Sequence, residues 1–152
     1  VIPPNVYGPR DHFFSEKSHV ISALITRVHE AKCAETPSVC IWGTGSARRE
    51  FIFVEDLASM LVRLMDAEDI PVPINTGTGE DVSIKELAEL IVDVVGYEGE
   101  IVWDSSKPNG MPRKLMDSSS MTGLGVRAGV RIREGLERTY RWFLEHYDVL
   151  KR

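Results

Sequence analysis

The sequence predicts an α/β fold with mainly parallel strands. Three observations carry that prediction. Short β-rich runs alternate with longer segments of helical periodicity through all 152 residues. The strand-like runs close on Pro/Gly turns, and one helix start is spelled out by Ser83 with Glu86 three positions on, a capping box. Alternation at this spacing implies helices crossing over between strands that run the same way.

In order along the chain, "VIPPNVYGP" reads as a strand end breaking into a Pro/Gly loop. Ser18 is a good N-cap residue, and Ile21, Leu24, Ile25 and Val28 recur at the spacing of a buried stripe, which predicts a helix to about Lys32. "SVCIW" and "EFIFV" are the next strands. Asp56 is expected to cap a helix whose apolar set is Leu57, Met60, Leu61, Leu64 and Met65. "VPINTGTG" is again strand then turn. The Ser83 helix carries Ile84, Leu87, Ala88, Ile91, Val94 and Val95 and stops at Gly96. "EIVW" is a strand, "DSSKPNGMPRK" a long loop, and Ile132 to about Tyr147 a final amphipathic helix.

Composition bounds the function. A hydrophobic share of 43% with 27% charged residues describes a globular chain, and a net charge of −5 argues against a general nucleic-acid binder. The basic pairs Arg48-Arg49 and Arg113-Lys114 suit a small anionic ligand better than a polyanion, and equally suit a solvated surface. Cys33 and Cys40 have no histidine at metal-ligand spacing, so two free thiols in a reducing compartment are expected, and no metal site. No apolar run is long enough to span a membrane, so no membrane association is expected and the cytoplasm follows as the default location. The chain opens on Val1 without an initiator methionine and is expected to be part of a longer one.

Two turns, Gly43-Thr44-Gly45 and Gly77-Thr78-Gly79, tempt a dinucleotide-binding reading. Both lack the third glycine, and Glu80 and Asp81 put negative charge where a pyrophosphate needs donors. They read as tight turns. The chemically suggestive residues lie elsewhere. His19 points roughly 160–170° from the centre of its helix's apolar stripe, with Ala23 and Arg27 following along the same side. An acid/base group and a cation about 12 Å apart, with a small residue between, suit an elongated anionic ligand. Trp42 at a strand end can stack on a planar ring, and Arg49 can fork onto phosphate, although a tryptophan is more often core.

Taken together, "PPNVYGP", "SHVISALITRVHEAK", "WGTGSARREFIFVEDLA", "INTGTGEDVSIKELAELI" and "SKPNGMPRKLMD" resemble the C-terminal half of the GDP-L-fucose synthase family. Its members are extended short-chain dehydrogenase/reductases that epimerise C3 and C5 and reduce C4 of GDP-4-keto-6-deoxy-D-mannose. The resemblance implies the last strands of a Rossmann-type parallel sheet, completed by residues 1–8 and 51–79. A smaller mixed α/β substrate domain would be built from 9–50 and 80–152.

By the same resemblance His19 matches the catalytic histidine, which also lies near the nicotinamide. Pro3, Pro4, Asn5 and Val6 match the segment touching NADP. Arg27, Trp42, Arg49, Asn109 and Lys114 match the GDP-sugar contacts. Three positions depart from the family: Pro4 replaces a usual Thr, Ser22 a common Pro, and Asn109 an Asp.

The resemblance further implies that NADPH is bound mostly by an N-terminal half, together with the family's cysteine base and Ser-Tyr-Lys set, and that the complete protein is a homodimer. Tyr147 and Lys151 have the Tyr-x-x-x-Lys spacing but close the last helix, and they read as coincidence. An isolated chain of this extent is expected to be inactive and to expose the face of Leu57, Leu61 and Leu64. Two other readings stand beside this one: another nucleotide-sugar epimerase or dehydratase, and a non-catalytic α/β binding module.

Overall fold

The computed structural model describes residues 1–15, 18–68, 70 and 72–151. Among the described residues, seven short strands and five helices follow one another as β1 (Asn5–Tyr7), α1 (Val20–Cys33), β2 (Ser38–Trp42), β3 (Arg48–Arg49), β4 (Phe51–Phe53), α2 (Val54–Met65), β5 (Val82–Ser83), α3 (Ile84–Val95), β6 (Glu100–Asp104), β7 (Arg113–Lys114), α4 (Ser119–Gly123) and α5 (Ile132–Leu150). Strand β1 pairs in parallel with β4, and β2 in parallel with β6. In the third sheet β3 lies between antiparallel β5 and parallel β7. The predicted α/β class with mainly parallel pairing is what forms.

The larger core is built by α1, α3, α5 and strand β2. Ile21, Leu24, Ile25 and Val28, the stripe read from the sequence, are all buried, with Leu87, Ala88 and Ile91 of α3 and Leu136 and Phe143 of α5 in the same cluster. In β2 the burial alternates strictly, so Val39 and Ile41 face that core while Ser38, Cys40 and Trp42 face out. A smaller core gathers Ile52, Met60, Leu64, Ile74, Met121 and Val126.

The Ser83 capping box forms: the Ser83 hydroxyl accepts from the Glu86 amide at 3.1 Å, and the Glu86 carboxylate accepts from the Ser83 amide at 2.7 Å. Gly96 closes α3 with φ of 68°.

Several local expectations need correcting. His19, not Ser18, occupies the N-cap position of α1. Ser18 is spent on a turn, donating to the Ser15 carbonyl at 2.6 Å and accepting from its amide at 3.1 Å. Asp56 caps nothing, because β4 runs into α2 without a loop and the helix starts at Val54. Its carboxylate instead accepts from the amides of Gly129 (3.1 Å) and Val130 (2.8 Å), tying a distant loop to α2. The final helix continues three residues past Tyr147 to Leu150.

Of the α2 face expected to be bare, Leu64 is buried and Leu57 packs against the smaller core. The large apolar residues left exposed on α2 are Val54, Leu61, Val62 and Met65. No helix among the described residues is long and apolar enough to cross a membrane.

One buried histidine ties α1 to α5. His29 Nδ1 lies 3.0 Å from the Tyr140 hydroxyl, with the rings of Phe143 and Tyr147 edge-on to it. Burial, assisted by the nearby Lys32 ammonium, pushes the imidazole below its ordinary value. The unfolded chain therefore takes up this proton more readily than the folded one. Stability is expected to fall as pH drops below about 6.5, the ordinary histidine value. Thermal unfolding between pH 7.5 and 5 checks this, since His29→Gln should flatten that slope; an unchanged slope would reject the assignment.

Candidate active site

The first turn of α1, the outward end of β2, strand β3 and the 105–110 loop converge on one cavity. Its volume is about 390 Å³, and it is lined by His19, Ala23, Arg27, Trp42, Arg49 and Asn109, with Asn5, Val6 and Tyr7 of β1 on another wall. His19, Ala23 and Arg27 line the same side because they stand four residues apart on a helix whose apolar stripe faces the core. The His19 side chain is 67% exposed. The imidazole is thus neither entombed nor remote from Trp42 and Arg49. Pro3, Pro4 and Lys114 do not line this cavity: Pro3 is exposed, Pro4 is buried, and Lys114 projects from β7.

Strand alternation sorts the basic pairs. In the β3/β7 register Arg48 sits beside Arg113, and Arg49 beside Lys114. Asp81 takes the first couple, with Oδ1 accepting from Arg48 Nε at 2.7 Å and Oδ2 from Arg113 Nε. Hydrogen bonds from Arg113 and then Arg48 hold its carboxyl below the usual aspartate value. Glu86 approaches Arg48 as well, at 3.3 Å. Arg48 and Arg113 are therefore internally neutralised, while Arg49 donates within strand β3 to the Arg48 carbonyl at 2.8 Å and reaches the cavity. Composition alone could not tell the two couples apart; a two-residue period on paired strands does.

The remaining groups are held from behind. Arg27 donates to the Cys40 carbonyl at 3.0 Å, which lays its guanidinium along β2. Lys107 sits over the Trp42 ring, 5.6 Å from its centroid. Asn109 Oδ1 accepts from the Thr44 amide (2.7 Å) and hydroxyl (3.1 Å), so its acceptor is used by the Gly43-Thr44-Gly45 turn. Gly43 has to be glycine twice over: its φ is +84°, and a Cβ there would sit 2.5 Å from Asn109 Oδ1.

Behind the site, Glu50 is buried. It accepts from the Gly79 amide (2.8 Å), the Thr78 hydroxyl (3.2 Å) and the Met116 amide (2.9 Å). Asn5 Nδ2 donates to its carbonyl at 2.8 Å. Sequence reasoning missed Glu50 and Asp81 as organising groups. A lone glutamate before "FIF" is legible as an inward charge only once β4 is known to be buried on all three residues.

A larger cavity of about 940 Å³ opens at the other end of β2 and β6, among Lys32, Glu35, Tyr97, Glu98 and Glu100. Its three carboxylates, with the Lys32 ammonium committed to the Val95 carbonyl, suit no anionic ligand. A third cavity, about 550 Å³, shares Tyr7, Arg49 and Phe51 with the first and continues toward the 128–132 loop. Tyr147 and Lys151, 3.1 Å apart on the last turn of α5, line none of these three cavities.

Residues 1–77 match the NAD dependent epimerase/dehydratase family, and the chain belongs to that family. Among curated relatives it is 52% identical over 151 residues to probable GDP-L-fucose synthase 1 of Oryza sativa subsp. japonica, covering 99% of this chain and 46% of the relative. It is 43% identical over 157 residues to GDP-L-fucose synthase of Escherichia coli (strain K12), covering 97% of this chain and 49% of the relative. The crystal structure of a GDP-L-fucose synthetase from Naegleria fowleri bound to NADP superposes with a TM-score of 0.90 at 29% identity, over 100% of this chain and 48% of that one. The chain thus spans about half the length of the relatives it matches.

Proposed function

We propose that this chain is the GDP-sugar-binding portion of an NADPH-dependent GDP-L-fucose synthase, acting on GDP-4-keto-6-deoxy-D-mannose. The observation that carries the reading is the single cavity into which His19, Arg27, Trp42, Arg49 and Asn109 converge. Two guanidinium groups suit a diphosphate, the Trp42 ring suits a planar base, and the Asn109 amide keeps its NH₂ donors for a ligand because its oxygen is occupied. Lys114 would reach the ligand only from the rim.

The cofactor in this reading is NADP, and the residues present that would meet it are Asn5 and Val6 of β1, which line the same cavity as His19. In this reading Pro3, Pro4, Asn5 and Val6 border the nicotinamide end, and most of the cofactor is held by residues outside these 152. When bound, NADPH supplies the hydride that reduces C4. The C4 carbonyl acidifies the protons on C3 and C5, and His19 exchanges a proton with those carbons from one face. Residues 1–8 and 51–79 would belong to the nucleotide-binding sheet and the remainder to the substrate domain. The complete enzyme would be a cytoplasmic homodimer of the short-chain dehydrogenase/reductase type.

Thermal shift with GDP, UDP and dTDP tests the reading. At free GDP one hundred times its Kd, stabilisation of about 2.7 kcal/mol is expected. Arg49→Ala should remove most of it. A larger shift with UDP or dTDP would move the assignment to another nucleotide-sugar enzyme of the family.

A further inference from the structure

We infer that Asp11 is the positioning residue for His19, holding the imidazole proton on Nδ1 so that Nε2 is the nitrogen offered to the ligand. The inference rests on the reading of His19 as the acid/base group. It starts from an anomaly in the loop before α1. Asp11 is only 13% exposed at its side chain, and its Oδ2 is a buried oxygen with no hydrogen-bond partner among the described residues. Buried carboxylate oxygens are rarely left so, and such a group calls for an explanation.

The other oxygen, Oδ1, accepts from the His12 amide at 2.8 Å and lies 3.5 Å from His19 Nδ1. The preceding residue, Arg10, is held at φ of +69°, a conformation a side chain pays for, so the backbone is bent where it delivers this carboxylate to the histidine.

The separation of 3.5 Å is longer than a closed N–H···O bond, and a small turn of the exposed imidazole closes it. A carboxylate accepts only, so the proton on Nδ1 has to belong to the imidazole. With Nδ1 donating toward Asp11, Nε2 keeps its lone pair. When Nε2 takes a proton, the positive charge forms beside a carboxylate, the arrangement that orients the histidine of a catalytic triad.

Long-range ¹H–¹⁵N correlation spectroscopy of the full 152-residue chain at alkaline pH reads the tautomer directly. An unconstrained histidine favours the proton on Nε2, and a bond to a charged acceptor shifts that ratio by roughly tenfold. Wild-type His19 is expected to be mainly Nδ1–H, and Asp11→Ala should return it to mainly Nε2–H. A wild-type His19 that is mainly Nε2–H overturns the inference without any variant, and so does an unchanged ratio in Asp11→Ala. Should Asp11→Ala fail to fold, Asp11→Asn keeps an oxygen for the His12 amide. The Nδ1–H share should then fall severalfold, and no change would count against the assignment. Loss of GDP binding would sink the functional reading alone, because the tautomer is measured without ligand.

Discussion

Glu50→Ala is expected to lower the unfolding free energy by about 3–6 kcal/mol, the loss of two amide hydrogen bonds to a buried charged acceptor at roughly 1.5–3 kcal/mol each. The amides are those of Gly79 and Met116. The Thr78 hydroxyl is a lesser loss, because its one proton can turn to the Glu80 carbonyl, also 3.2 Å away. A domain is stable by about 5–15 kcal/mol in total, so the variant should be marginal. Glu50→Gln preserves one oxygen and sets an NH₂ against a donor, which should cost about 1–3 kcal/mol. Urea unfolding at constant m-value checks both numbers. Glu50→Ala within about 0.5 kcal/mol of wild type, the ordinary range for a surface change, would show that the carboxylate organises nothing.

His19→Gln, in a complete enzyme carrying this segment, is expected to slow epimerisation by about 10²–10⁴-fold, the usual contribution of a positioned proton-transfer group. GDP affinity should stay close to wild type, because Arg27, Trp42 and Arg49 supply the charge and the flat surface while His19 does not. Incorporation of solvent deuterium at C3 and C5 is the measurement, with GDP binding as the control. Exchange at the wild-type rate in the variant would refute the role of His19. Loss of exchange and binding together would make His19 a binding residue instead.

What was legible in the sequence is what neighbours in the chain decide. The stripe from Ile21 to Val28 and the Ser83–Glu86 box are helical periodicities and local hydrogen bonds, and both appear in the structure. The outward aspect of His19 and Arg27 follows from the same 3.6-residue repeat. The misreadings at Ser18 and Asp56 have one cause. Each is a capable cap whose oxygen is claimed by another backbone: Ser15 for the first, the 129–130 loop for the second.

By itself, then, the sequence determined the α/β class, the inner faces of α1 and α3, and which residues of α1 turn away from the core, because these depend on spacing along one element. Only the tertiary structure decided which cations are free. Asp81, just before β5, silences Arg48 and Arg113 and leaves Arg49 to the cavity. It alone set Asp11 against His19 and sank Glu50 among three donors. Those pairings join residues far apart in the chain or carried on a bent loop, and a charge's partner is fixed by distance in space, which no local periodicity encodes.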